Sequence, residues 1–207
     1  MAHLLTADEA TRIEALVREV EASTAGEIVI VVAGRCDSYA AWRAPWVAVL
    51  TVASALLLYL YAPAIPAEWI FPAQLPIGAA LWWLCGRAPV LRRLVPEGAR
   101  RRAVADRTRQ LFIEHGVTET RDRSGVLLLI SELEHRIEIL SDRGIHARVG
   151  DQGWEAQTAR IRDAIRAGRT AEGLSTALRE IGQVLAESFP PRPDDTNELS
   201  DAIQRVD

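Results

Sequence analysis

Pro45-Trp-Val-Ala-Val-Leu-Thr-Val-Ala-Ser-Ala-Leu-Leu-Leu-Tyr-Leu-Tyr61 is the stretch that decides the architecture of this 207-residue chain. Read as a helix, residues 45–62 extend roughly 27 Å at about 1.5 Å per residue, just enough to cross the hydrocarbon core of a bilayer. A second apolar stretch, Trp69-Ile-Phe-Pro-Ala-Gln-Leu-Pro-Ile-Gly-Ala-Ala-Leu-Trp-Trp-Leu-Cys-Gly86, has a similar length but is weakened by Pro72, Gln74 and Pro76. Prolines near a helix start or at a kink are tolerated in such segments. Between Ala44 and Gly86 the only charged residue is Glu68, and the link Ala62-Pro-Ala-Ile-Pro-Ala-Glu68 is short enough to make the two stretches antiparallel neighbours. Together they predict a transmembrane helical hairpin over 44–86. The alternative, a pair of core helices, asks a small domain to bury more apolar chain than it can surround.

The flanks of these stretches agree with that expectation. Trp42, Trp46, Tyr59, Tyr61, Trp69, Trp82 and Trp83 gather at the segment ends, where amphipathic rings anchor in the headgroup region. Arg35 and Arg43 precede the first stretch, and Arg87, Arg92, Arg93, Arg100, Arg101, Arg102, Arg107 and Arg109 follow the second, whereas the link between them carries no basic residue. The positive-inside rule then puts both outer ends in the cytoplasm. Arg87 joins the tryptophans as an interface anchor. Arginines at this boundary attract anionic headgroups at on the order of 1 kcal/mol each; the same cluster also reads as the polar face of a solvated helix. Residues 1–21 lack the basic start, apolar core and cleavage site of a signal peptide. The expected location is the inner (cytoplasmic) membrane, multi-pass, with the soluble part on the cytoplasmic side. Gly78, Ala79 and Ala80 offer a small-residue face through which copies of the chain could form a homo-oligomer.

Outside 44–86 the chain reads as one α/β domain. Thr6-Ala-Asp-Glu9 is a capping box, and Ile13, Leu16, Val17 and Val20 follow at helical spacing. Glu27-Ile-Val-Ile-Val-Val-Ala33 and Gly125-Val-Leu-Leu-Leu-Ile-Ser131 are short apolar runs of the kind found in strands covered on both faces. Arg136-Ile-Glu-Ile-Leu-Ser141 forms a third strand, close enough to the second to pair as a β-hairpin. Helices are expected over 99–115, with Gly116 as its stop, over 154–167, and from Thr170 onward with Leu174, Leu178, Ile181 and Leu185 inward. This order predicts a mixed β-sheet sandwiched by helices, with the apolar insert in a strand-to-helix crossover.

Composition removes several functions. The net charge of −4 argues against general nucleic-acid binding. All 24 basic residues are arginine, so lysine-based covalent catalysis is excluded. Cys36 and Cys85 are too few for a disulfide framework and read as small buried thiols. There is no phosphate-binding P-loop and no glycine-rich dinucleotide loop. His3, His115, His135 and His146 show no metal-ligand spacing.

The second half of the chain resembles the TPM-domain family, and in particular its short bacterial membrane proteins. The residues that carry the resemblance are His115-Gly-Val-Thr118, Thr120-Arg-Asp-Arg-Ser-Gly-Val-Leu-Leu-Leu-Ile130, Glu134-His-Arg136, Ile139-Leu-Ser-Asp-Arg-Gly-Ile145 and Trp154. Gly173-Leu174, Ser188-Phe-Pro190, Asn197-Glu-Leu199 and Asp201 also fit, as does the approach to the first strand over 21–31. The resemblance implies an α/β/α sandwich. The chain then divides into 1–43 and 87–190 as two parts of a TPM-like domain, 44–86 as the hairpin, and 191–207 as an acidic, proline-rich tail, extended across the domain or disordered, whose Asn197-Glu-Leu199 could cover an edge strand or dock on a partner. The resemblance further implies either an accessory factor for a membrane protein complex or a phosphatase, with calcium or a similar divalent cation held by acidic loop residues.

The residues themselves leave these options open. Asp122 precedes the second strand and Asp142 follows the third, so antiparallel pairing brings both to one end of the sheet, where they could share an oxygen-ligand site. Glu134 and His135 lie in the turn at the other end, and Asp151 is a further acidic candidate. Turn and helix-cap roles explain the same carboxylates. Where many TPM sequences have Asp-Asn-Gly, this one reads Asp122-Arg-Ser-Gly125, and the arginine charge opposes a cation in the same loop. Phosphate oxygens would be oriented by Arg123 and Arg143, with Arg121 and Arg136 near by, and a nucleophile would have to be Ser124, Asp122 or Asp142. The expected function is therefore a membrane-anchored, non-enzymatic accessory factor that binds or helps assemble a membrane protein complex. The alternative is a low-activity, divalent-metal-dependent phosphatase. The partners that follow are the lipid bilayer and another membrane protein, not nucleic acid.

Overall fold

A computed structural model describes residues 5–149, 154–192 and 197–206, with the side chains of all but 148 and 149. The chain divides into two compact units, one of residues 1–36 and 101–207, the other of residues 37–100.

The first unit is built on a four-stranded mixed sheet. Its strands are β1 (Glu27–Ala33), β2 (Gly125–Ser131), β3 (Arg136–Ser141) and β4 (Gln204–Val206), in the spatial order β3-β2-β1-β4. β1 pairs parallel with β2, Ile28 opposite Val126 and Ile30 opposite Leu128, and β2 pairs antiparallel with β3, Leu128 opposite Ile139. The three longer strands fall where their apolar runs predicted, because every residue of β2 and nearly every residue of β1 is buried.

Alternating side chains of these strands feed two separate cores. One face presents Ile28, Ile30, Val126, Leu128 and Ile130 to helices α1 (Ala7–Glu21), α7 (Glu155–Arg166) and α8 (Thr170–Ser188) through Ile13, Val17, Ile161, Leu174, Leu178 and Ile181. The other presents Val29, Val31, Leu127 and Leu129 to α5 (Glu97–Glu114) through Val104, Leu111 and Phe112. The arrangement is a sheet between helical layers. Thr6 closes the predicted capping box: its hydroxyl accepts from the Glu9 N–H at 3.3 Å, and the Glu9 carboxylate accepts from the Thr6 N–H at 2.8 Å. Gly116 ends α5 with φ +66°, as a C′ glycine should. Gly182 lets α8 approach α1 closely, since a Cβ there would lie 2.3 Å from Cγ1 of Val20.

Three elements of this unit were not expected from sequence. A short helix α6 (Arg143–Val149) follows β3 directly, and a one-turn 3₁₀ segment (Val117–Glu119) follows α5. The third is β4, contributed by the tail; of the two readings of Asn197-Glu-Leu199, the structure has the one in which the segment covers an edge strand, here β1. Residues 193–196 of the tail, His3 and the acidic candidate Asp151 lie outside the described residues.

The second unit contains α2 (Ala40–Tyr61), α3 (Ala67–Cys85) and α4 (Ala88–Leu94). α4, also unexpected, starts with Pro89 in its first turn and stops because Val95, ahead of Pro96, is held extended. α2 and α3 pack on each other in antiparallel fashion. Arg43 meets Trp82, Thr51 faces Gly78 and Ser54 meets Gln74, so rising numbers on one helix oppose falling numbers on the other. Of the described helices only α2, at 22 residues, is long and apolar enough to cross a membrane, and none of its apolar window is buried. The expected transmembrane hairpin over 44–86, and with it the multi-pass placement, is therefore not supported: of its two helices only α2 has a spanning composition. α3 has 19 residues but carries Pro72, Gln74 and Pro76 within it and Glu68 in its first turn, which keeps it below a spanning composition.

Candidate functional site

Antiparallel pairing of β2 with β3 does bring Asp122 and Asp142 to one end of the sheet, where the Asp142 N–H donates to the Gly125 carbonyl at 2.9 Å. Each carboxylate nevertheless has another partner, although Oδ2 of Asp142 is buried without a hydrogen bond. Oδ2 of Asp122 is 2.7 Å from Nη1 of Arg192, which follows α8. Oδ1 of the buried Asp142 accepts from the Arg143 N–H at 2.6 Å, tying the start of α6, and its Oδ2 faces Nη1 of Arg123 at 3.9 Å. Arg123 sits at φ +55°, is exposed, and donates to the Thr118 carbonyl at 2.7 Å. The Arg143 side chain is exposed on the first turn of α6. Gly144 packs against the 122–123 backbone, where a Cβ would come within 2.7 Å of the Arg123 carbonyl oxygen. Ser124 is buried and donates to the Ala25 carbonyl at 2.7 Å, so its hydroxyl fastens β2 to the approach of β1 and is turned away from solvent. Among the described residues no group of three or more His, Cys, Asp and Glu side chains is arranged to hold a metal ion.

Two carboxylates that sequence reasoning passed over lie at this same end. Glu21 closes α1 and Glu27 opens β1, and both line a cavity of about 360 Å³ with Arg18, Thr24, Arg192 and Asn197. Oε1 of Glu21 accepts from the Ile28 N–H at 2.8 Å, and Oε1 of Glu27 accepts from the Glu198 N–H at 3.1 Å. Oε2 of each is buried without a hydrogen-bond partner. Burial, reinforced by the charges of Glu27 and Asp201, pushes the Glu21 carboxyl up to about 8. Burial also raises Glu27, aided by Glu198 and Asp201. A signal was available in the sequence: a glutamate in the last turn of a helix opposes the helix dipole and needs a local reason.

At the opposite end, Glu134 has a structural task. It is buried, accepts from the Ser131 hydroxyl, and accepts from the Cys36 N–H at 3.1 Å, which pins the turn between β2 and β3 to the chain leaving β1. Burial pushes the Cys36 thiol up to about 11, so it is unreactive at neutral pH. Trp154 is a core residue whose indole N–H reaches the Ser141 hydroxyl.

In the helical pair, Trp42, Trp46, Trp69, Trp82 and Trp83 all keep a large exposed surface. The guanidinium of Arg43 stacks over Trp82 at 4.1 Å from the ring centroid, and that of Arg87 over Trp83 at 4.0 Å. Arg43 also donates to the Trp82 carbonyl at 2.8 Å, which caps an α3 terminal carbonyl from the start of α2. Trp42, Trp46, Trp82 and Trp83 with Arg43 and Arg87 therefore form a tryptophan–arginine belt where α2 begins and α3 ends, while Trp69 sits at the other end of the pair, in the first turn of α3.

Residues 91–184 match the family model of the TPM domain. Over these residues, just under half of the chain, the sequence is that of a TPM domain. The matched span runs from within α4 to within α8 and includes β2, β3 and the loop of Asp122 and Arg123. The solved structure of the BA42 protein from the psychrophilic bacterium Bizionia argentinensis is similar over 99% of this chain and 97% of its own, with a TM-score of 0.62 and 20% identity. At that identity the likeness speaks for the fold. A search of curated protein sequences found no match. In this TPM domain the sheet-end acids face arginines, while Glu21 and Glu27 stand outside the matched residues.

Proposed function

We propose that this protein is a membrane-anchored TPM-domain protein, held in the inner membrane by α2 and α3 and acting as a non-enzymatic accessory factor for another membrane protein. The observation that carries the anchoring is the inverted polarity of the helical pair. Outward positions are apolar, among them Val49, Val52, Leu56, Leu60, Phe71 and Leu75. The polar side chains Thr51, Ser54 and Gln74 instead hydrogen-bond inside the pair: Ser54 donates to Gln74 Oε1 at 2.8 Å and Gln74 donates to the Ile70 carbonyl at 3.0 Å. In water this arrangement exposes a large apolar surface, whereas in lipid it satisfies every one of these polar groups. Gln74, which disqualifies α3 as a lone span, is then a reason for α3 to enter the bilayer alongside α2. The tryptophan–arginine belt marks the cytoplasmic interface, because the link between the helices has no basic residue.

The accessory role rests on the engaged state of the carboxylates: Asp122 is paired with Arg192, and Asp142 is fastened to the start of α6. Both features weigh against the divalent-metal phosphatase. Confinement at the membrane raises the effective concentration of the α/β unit toward membrane partners. The test is fractionation followed by purification in mild detergent. The full-length chain is expected to resist alkaline carbonate extraction and to release no phosphate from a generic ester with calcium or magnesium. It is expected to co-purify in fixed stoichiometry with one membrane protein. A chain that stays in the supernatant after high-speed sedimentation overturns the anchoring. Phosphate release lost in Asp122→Ala overturns the non-enzymatic role.

A further inference from the structure

The C-terminal segment is held on the first unit mainly by carboxylates. β4 pairs parallel with β1, Val31 opposite Gln204 and Ala33 opposite Val206, and the Gly34 N–H donates to the Val206 carbonyl at 2.9 Å. Ahead of β4, Glu14 Oε1 accepts from the Ile203 N–H at 3.0 Å, and Glu27 Oε1 accepts from the Glu198 N–H at 3.1 Å. Glu198 Oε2 in turn accepts from the Arg121 N–H at 2.9 Å, and Asp201 Oδ2 lies 3.7 Å from Arg18 Nε. A three-residue strand is too short to hold itself on an edge, so these side-chain anchors decide whether the segment stays.

The anchors enclose a charge conflict. Glu21 from α1 and Glu27 from β1 line the cavity together with Asn197 of the segment. Asp201 of the segment lies 3.7 Å from Arg18, which lines the same cavity, and its charge acts on both glutamates, with Glu198 beside Glu27. The guanidiniums facing them are Arg18 of α1 and Arg192 after α8, and Arg192 is already paired with Asp122. We propose that residues 197–206 are a pH-sensitive strap over the edge of β1, released by ionisation of the Glu21 carboxyl group. While Glu21 is protonated, one buried negative charge is missing from the cluster and the strap sits beside a neutral neighbour. Once it ionises, Glu21, Glu27 and Asp201 repel each other at low hydration, and moving the strap away admits water and removes the Asp201 charge. The edge of β1 is then open.

The sign follows from proton linkage. The strapped form keeps the Glu21 proton up to about pH 8, against an ordinary carboxyl value of 4.5, because burial and the neighbouring acids oppose its charge. The released form, with Glu21 hydrated, gives the proton up at lower pH. Between those two values the strapped form binds the extra proton, so release grows as pH rises and levels off above about 8.

Hydrogen exchange on the full-length protein in detergent micelles between pH 5.5 and 9, corrected for intrinsic base catalysis, tests this. The Gly34 and Ile203 amides report the strap, and the Leu128 amide reports global opening. The expected result is an opening constant for the first two that rises by up to about tenfold per pH unit and then levels off. Glu21→Gln should remain strapped and flat with pH. Asp201→Asn, which removes the strap's own charge beside Glu21, should move the levelling-off to lower pH. A wild-type profile that tracks Leu128 throughout, or a slope that survives Glu21→Gln, overturns the proposal. Neither outcome bears on membrane anchoring.

Discussion

β2 and α2 are both almost wholly apolar, yet they meet opposite surroundings. All seven residues of β2 are buried, and none of the apolar window of α2 is. β2 lies between two helical layers and draws its stability from packing on both faces. α2 packs along α3 and touches α4, and most of its side chains point away from protein. Apolar composition alone therefore says only that a segment avoids water. Whether protein or lipid replaces the water depends on how much chain is free to surround it.

The largest expected effect separates the two regions. Leu128→Arg, which places a charge in the sheet core, should unfold the α/β unit outright, because an unpaired buried charge costs more than the roughly 5–15 kcal/mol margin of most domains can absorb. Val52→Arg on the exposed face of α2 should leave thermal unfolding of the α/β unit unchanged. It should, however, weaken insertion by roughly 2.5–3.5 kcal/mol, read as loss of carbonate-resistant membrane material. If Val52→Arg unfolds the α/β unit instead, the contrast between the regions fails.

A smaller effect sharpens the comparison through glycines. Gly182→Ala forces a methyl group into Val20 and should cost about 1–3 kcal/mol, measured by denaturant unfolding. Gly98→Ala meets nothing within 4 Å and should be neutral or stabilise its helix by about 0.5–1 kcal/mol. The smallest effect is expected inside the helical pair. Ser54→Ala removes one interhelical hydrogen bond and should cost about 0.6 kcal/mol in helix-pair stability, measured by denaturation in mixed micelles.

How much of this was legible depended on whether the deciding interaction was local. β1 and β2 were readable because each is a nearly unbroken apolar run, β3 because Ile137, Ile139 and Leu140 follow β2 after a short turn, and α1 because its capping box closes within four residues. β4 was not: Gln204-Arg-Val206 carries no strand signature and becomes a strand only because the edge of β1 supplies its partners. α4 and α6 were missed because seven residues show too little periodicity, and proline punctuation hides α4. Of the candidate site, the common sheet end of Asp122 and Asp142 was legible from strand order. Their capture by Arg192 and by the start of α6 was not, since Arg192 lies seventy residues from Asp122 in the chain.

Local sequence determined the two apolar segments, the three long strands and the arginine placement around the insert, because each follows from the chemistry of consecutive residues. Only the tertiary structure decided that α3 hides its glutamine against Ser54. It also decided that the sheet-end acids face arginines and that Glu21 and Glu27 share a cavity with the C-terminal segment. Burial and charge neighbourhood depend on residues far apart in the chain, and those are brought together only when the whole sheet closes.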